Sequence, residues 1–139
     1  MNYTSLLLID DDADDLLLFS EALREIKLPA TYETAADGIE ALKKLHSSAI
    51  PQLIFLDLNM PIMHGFECLK RIKASSELKQ IPVIIFTTSN SPLDIYTAKQ
   101  LGANAYFCKP MHFNYLCDKL KNILEGSFNL ETSGFLVIE

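Results

Sequence analysis

Five short apolar runs, each followed by a longer segment with apolar residues at helical spacing, constrain this chain more than any other feature. The runs fall at residues 6–9, 31–34, 53–56, 83–86 and 103–108. Each is too short for a helix, and the one at 53–56 is apolar throughout, which is the pattern of a strand buried on both faces. Between them, Leu16, Phe19, Leu23 and Ile26 recur at helical spacing, as do Ile39, Leu42 and Leu45, then Phe66, Leu69 and Ile72, and finally Leu116, Leu120 and Ile123. Strands separated by single helices pair in parallel, and short buried strands need helices on both faces. The chain is therefore expected to form an α/β fold, a three-layer αβα sandwich around a five-stranded parallel sheet.

Local signals agree with this reading. Asp12 is placed to cap the first helix and Pro29 to close it. Asp37-Gly38 opens the second helix, on which Glu40 can meet Lys43 or Lys44. Ser91-Pro92 is an N-cap followed by proline at the first helical position, and Gly102 suits a C-terminal cap. A length of 139 residues fits one domain, assigned here to residues 1–125. Residues 126–139 form a C-terminal extension of unassigned role. Its run Phe135-Leu136-Val137-Ile138 is apolar enough to need a partner, either its own domain or the sheet edge of a neighbour, and a homodimer formed through it is an expectation.

In an open parallel sheet, ligands bind beyond the carboxyl ends of the strands. The residues just after strands one, three, four and five are Asp10 and Asp11, Asp57, Thr87 and Lys109. Carboxylates gathered there repel, by about 4 kcal/mol for a unit pair 4 Å apart at an effective dielectric of 20. Something positive must sit among them. Lys109 is one such charge, and a divalent cation is the other. Hard oxygen ligands without nearby His or Cys favour Mg²⁺. A carboxylate nucleophile, Mg²⁺, an ammonium and a hydroxyl together suit phosphoryl acceptance, which needs positioning and charge neutralisation above all.

The motifs Ile9-Asp10-Asp11, Leu56-Asp57-Leu58-Asn59-Met60-Pro61, Phe86-Thr87-Thr88 and Tyr106-Phe107-Cys108-Lys109-Pro110 resemble, in this order and spacing, the receiver domain of two-component response regulators, the CheY-like family. The resemblance covers residues 4–125. It implies a flavodoxin-like sheet in the order 2-1-3-4-5. Asp57 then matches the phosphoacceptor, which takes its phosphoryl group from a phosphohistidine of a sensor histidine kinase or a histidine phosphotransfer protein. Asp10, Asp11 and Asp57, with the backbone carbonyl of Asn59, match the Mg²⁺ ligands. Thr87 and Tyr106 match a switch pair, the ring swinging inward behind the hydroxyl. Lys109 matches the lysine that pairs with the phosphoryl group, Pro110 is expected cis, and Gly65 shapes the loop after the acceptor. Tyr96, Tyr106 and the outer side of the last helix match the face used for downstream protein targets. His64 departs from the acidic or amide residue common before Gly65. Thr88 is bulkier than usual beside the switch hydroxyl, which implies slower access of water and a longer-lived phosphoryl group.

Other readings are weaker. Asp10, Asp12, Asp14 and Glu21 fit positions 1, 3, 5 and 12 of a calcium loop, yet Asp15 stands where that loop needs glycine. Asp10 and Asp12 have the Asp-x-Asp spacing of a Mg²⁺-dependent phosphatase, without the second acidic pair late in the sequence. A receiver-like module that binds without phosphorylation would be expected to lack one of the site residues. The protein is read as a switch rather than an enzyme, with no room for a DNA-binding module after Glu125. A net charge of −6 opposes attraction to nucleic acid, and no apolar run approaches the ~18 residues a membrane span requires. A cytoplasmic location with three reduced cysteines, Cys68, Cys108 and Cys117, is expected. The scattered His46, His64 and His112 are read as surface or loop residues.

Overall fold

The structure, a computed structural model, describes residues 2–47 and 49–139. Strands and helices alternate as β1 (Ser5–Ile9), α1 (Ala13–Ile26), β2 (Thr31–Ala35), α2 (Gly38–Ser47), β3 (Leu53–Leu56), α3 (Gly65–Ala74), β4 (Val83–Thr87), α4 (Pro92–Gln100), β5 (Ala105–Cys108), α5 (Phe113–Leu124) and β6 (Leu136–Ile138). All strand pairs are parallel, and the sheet order is β2-β1-β3-β4-β5-β6. The five expected strands thus stand in the expected order, with a sixth added beyond β5.

Side chains alternate across the sheet. Leu7, Ile9, Ile54, Leu56, Val83 and Ile85 face α2, α3 and α4, where Ala41, Leu45, Leu69, Ile72 and Ala98 close one core. Leu6, Leu8, Leu53, Phe55, Ile84 and Phe86 face α1 and α5, against Phe19, Leu23, Leu116, Leu120 and Ile123. Both faces of β3 are buried, as its continuous apolar run requires. β2, whose first three residues are exposed, is one edge, and β6 is the other.

One helix is turned differently from its sequence pattern. On α2 the inward residues are Gly38, Ala41 and Leu45, whereas Ile39 is 40% exposed. Steric closeness explains this. A Cβ on Gly38 would lie 2.7 Å from the Met63 sulfur, so the helix approaches the core by its smallest residues.

The sixth strand comes from the C-terminal extension. Leu136, Val137 and Ile138 pair with Ala105, Tyr106 and Phe107, and Leu130 and Ile138 are buried in the core beneath α1 and α5. Asn104 ties the extension down. Its backbone carbonyl accepts from the Leu136 amide at 3.1 Å, and its side chain donates to the Leu130 carbonyl at 2.9 Å while accepting from Val83 N and Lys73 Nζ. Of the two fates expected for the apolar tail, the strand pairs with its own sheet rather than a neighbour's. All three cysteines are free.

Candidate functional site

The acidic run after β1 becomes a strand-to-helix turn. Asp12 is the N-cap of α1, its Oδ1 accepting from the Asp14 and Asp15 amides at 2.9 and 3.2 Å. The Asp10 carboxylate in turn accepts from the Asp12 amide at 2.9 Å. This excludes the calcium-loop reading, because Leu16 to Glu21 lie within α1. Asp12, the second residue of the phosphatase spacing, serves as a helix cap and is not among the carboxylates that converge with Asp57.

The strand ends then bring together the residues expected to meet. Asp10, Asp11 and Asp57 each present an oxygen within 4.8 Å of the others. Asp10 and Asp57 are buried and Asp11 is exposed, so the cluster opens to solvent on one side. Asp57 is fixed at both ends: its amide donates to the Ile9 carbonyl at 2.9 Å, and its Oδ1 accepts from the Leu58 amide at 2.8 Å. Lys109 Nζ lies 2.7 Å from Asp10 Oδ2, 2.6 Å from Asp15 Oδ2 and 3.6 Å from Asp57 Oδ2. Three carboxylates thus share one ammonium, with Asp11 a further negative charge beside them. The excess negative charge and the hard oxygen donors fit a divalent cation.

Electrostatics reflect the crowding. Burial pushes the Asp10 carboxyl up to about 6, against hydrogen bonds from Lys109 and the Asp12 amide that pull it down. Burial alone would lower the Lys109 pKa, but its bonds to Asp10 and Asp15 outweigh this and hold it above the ordinary lysine range. Thr87 is wholly buried, and among the described residues its hydroxyl has no hydrogen-bond partner. A buried hydroxyl left unpaired costs about 1–3 kcal/mol, which an incoming acceptor would recover.

The loop after Asp57 is under visible constraint. A Cβ on Gly65 would stand 2.2 Å from the Asp57 carbonyl oxygen and 2.7 Å from Leu58 Cα. Both are backbone atoms that cannot rotate away. Gly65→Ala is therefore expected to lower stability by about 1–3 kcal/mol, the range for overpacking, and to displace Asp57 as well. Urea unfolding checks the first effect and Mg²⁺ affinity the second. Ile62, a β-branched residue at φ 69°, is left-handed and 80% exposed. Its strain, of order 1–2 kcal/mol, is held by buried Met60 and Met63 on either side. His64, in place of an acidic or amide residue, caps α3: its Nδ1 accepts from the Phe66 amide at 3.1 Å.

Tyr106 is not on the surface; its ring is buried and its hydroxyl donates to the Ser89 carbonyl at 2.8 Å. The inward position is therefore already occupied, the ring belonging to the same core as Ile85, Ala98 and Ala103. No cis peptide bond occurs among the described residues, so Lys109-Pro110 is trans, the form that Xaa-Pro bonds favour by about 0.5–1 kcal/mol. Asn59 and Thr88 are exposed at the mouth of the site. His46 and His112 lie exposed at helix ends, away from any ligand set among the described residues.

Asp15 was not among the expected site residues. It lies in the first turn of α1, three positions after the Asp12 cap, and nothing local distinguishes it from Asp14 beside it.

Comparison with known proteins agrees with this geometry. Residues 6–121 match the response regulator receiver domain family. The chain is 32% identical to the chemotaxis protein CheY1 of Helicobacter pylori over 119 residues, covering 86% of this chain and 95% of that protein. It is 34% identical to the response regulator Rcp1 of Synechocystis sp. over 133 residues, covering 91% and 89%. Among solved structures it resembles the phosphorylated cyanobacterial phytochrome response regulator RcpA, with a TM-score of 0.81, 34% identity, and coverage of 89% and 93%. It also resembles the Mn²⁺-bound form of Rcp1, with a TM-score of 0.78, 33% identity, and coverage of 93% and 96%.

Proposed function

Because the chain belongs to the response regulator receiver domain family, we propose that it is a phosphorylation-dependent switch whose acceptor is Asp57. The observation that carries this reading is the meeting of Asp10, Asp11 and Asp57 within 4.8 Å, beside the Lys109 ammonium. The donor is a phosphohistidine on a sensor histidine kinase or phosphotransfer protein. Asp57 attacks the phosphorus, forming an acyl phosphate as the bond to the histidine nitrogen breaks. Asp10, Asp11 and the Asn59 carbonyl, with Asp57, would hold Mg²⁺, which supplies positive charge to the phosphoryl oxygens. Lys109 pairs with one of those oxygens, and the unpartnered Thr87 hydroxyl donates to another.

Output is a protein contact. Tyr106, buried behind the site, also lines a groove of about 490 Å³ with Ile95, Met111, Tyr115 and Val137. A change at Thr87 reaches that groove through the β4–β5 pairing. The target is assigned as a different protein; β6, paired with β5, is itself the outer edge of the sheet, where a second copy could also add a strand. To move a two-state equilibrium from 1:99 to 99:1, phosphorylation and that target must together favour the active state by about 5.5 kcal/mol. Net charge opposes a nucleic acid partner, and no helix among the described residues is long and apolar enough to cross a membrane.

The elevated Asp10 pKa gives this reading a pH signature. Between its ordinary value of 3.8 and about 6, folded Asp10 keeps a proton that the unfolded chain has released. Asp10 therefore opposes folding above about pH 6 in the absence of metal, and this penalty fades as pH falls. A cation must displace the same proton. Mg²⁺ affinity is expected to be level above about pH 6 and to fall by up to about tenfold per pH unit below it. Calorimetric titration on both sides of that value checks this, and a flat profile would contradict it. The direct test of the whole reading is intact mass after incubation with Mg²⁺ and acetyl phosphate, where one added phosphoryl group is expected.

A further inference from the structure

We propose that Asp15 is a positioning residue: by pairing with Lys109 it keeps the ammonium's contact with Asp57 long, leaving the acceptor carboxylate and the Asp10-Asp11 pair open to a divalent cation. The inference rests on the reading of this cluster as a metal-dependent phosphoacceptor site. Lys109 has two close partners, Asp15 at 2.6 Å and Asp10 at 2.7 Å, and lies 3.6 Å from Asp57. The two partners are not equivalent. Asp10 belongs to the set whose oxygens converge for a metal, and Asp15 does not. When a cation takes up Asp10, Asp15 is the close carboxylate left to hold the ammonium.

Burial makes that retention matter. The Lys109 side chain is 9% exposed, and Asp15, at 28%, is its most accessible partner. A buried ammonium with three donors does not stay unpaired. Without Asp15 it would turn to Asp57 and compete with the cation for the same oxygens. Asp15 is itself held: its amide donates to the Asp12 cap, which sets the first turn of α1 against the strand ends. When Asp57 carries a phosphoryl group, the lysine has a short way to move, from Asp15 towards the new oxygens.

Acidic residues also favour the first turn of a helix for reasons unrelated to any site, so the test must separate a plain charge from a hold on Lys109. Mg²⁺ affinity is measured by calorimetry, without phosphoryl donor, for the wild type, Asp15→Asn, Lys109→Ala and the double variant. Asp15→Asn is expected to weaken Mg²⁺ about tenfold or more, as loss of a group that supports metal ligands does. In the Lys109→Ala background the same change is expected to have less than about a third of that effect, because there is no ammonium to release. Asp15→Glu, which can still reach Lys109, should restore affinity. Equal effects in the two backgrounds, or no effect in either, would overturn the proposal. Asp15→Ser replaces Asp15→Asn if the latter unfolds. A wild-type chain that takes up no Mg²⁺ would sink the site reading together with this one, whereas normal uptake with no Lys109 dependence would sink this one alone.

Discussion

Asp57→Asn is expected to gain no phosphoryl group from acetyl phosphate and Mg²⁺ under conditions in which the wild-type chain gains one. A carboxamide has nearly the shape of the carboxylate, so the backbone contacts at Ile9 and Leu58 that fix this residue remain available. Its oxygen carries no charge to attack phosphorus and is a poorer ligand for a hard cation. The fold should not suffer. Removing one of several crowded carboxylates relieves repulsion of order 1 kcal/mol or more at these separations, so the metal-free variant is expected to resist urea at least as well as wild type. Stabilisation by Mg²⁺ should disappear with the acceptor, whereas wild type should gain about 2.7 kcal/mol at a hundredfold excess over its dissociation constant. Phosphoryl uptake by the variant, on any other side chain, would remove Asp57 from the centre of the mechanism.

The second large effect lies at the other end of the chain. Leu130→Ala is expected to lower unfolding stability by about 2–5 kcal/mol, a large part of the about 5–15 kcal/mol typical of a whole domain. Leu130 is buried in the core that also holds Leu53, Ile123 and Leu124, and its carbonyl is the acceptor for Asn104. Ending the chain at Glu125 should go further. It removes Leu130 and Ile138 from the core and uncovers the β5 edge, whose amides and carbonyls would then face solvent. An unprotected hydrophobic edge is a template for pairing with another chain. The shortened chain is therefore expected to be less stable and to scatter more light with rising concentration, the reverse of what a tail needed for dimerisation would give. A shortened chain that stays monomeric, with an unchanged urea midpoint, would show that β6 contributes nothing to the fold.

Much of this molecule was legible in order and spacing. Short apolar runs identified five strands, and helical spacing with the Ser91-Pro92 start identified five helices, because burial in a sheet or along a helix stripe writes itself directly into which residues are apolar. Parallel pairing then required the residues after those strands to converge, which is why Asp10, Asp11, Asp57, Thr87 and Lys109 could be grouped before any distance was known. Asp12 as a cap and Ser91-Pro92 as a helix start were equally local, since each depends on a side chain reaching its own backbone.

Features that depend on approach between distant segments were decided only by the tertiary structure. Gly38 meets Met63, and Gly65 meets the backbone of Asp57, at separations no local pattern encodes. The choice of Asp15 as the second partner of Lys109 arises from how α1 is set on the sheet, because several aspartates in the run had the same chemistry. The fate of the last strand was open for the same reason. Phe135 to Ile138 announced a need for burial, but any free sheet edge could have met it, and only the geometry around Asn104 directed it to β5 of the same chain. Sequence specifies what each segment must bury or pair, whereas the partner it finds depends on which surfaces the rest of the fold leaves within reach.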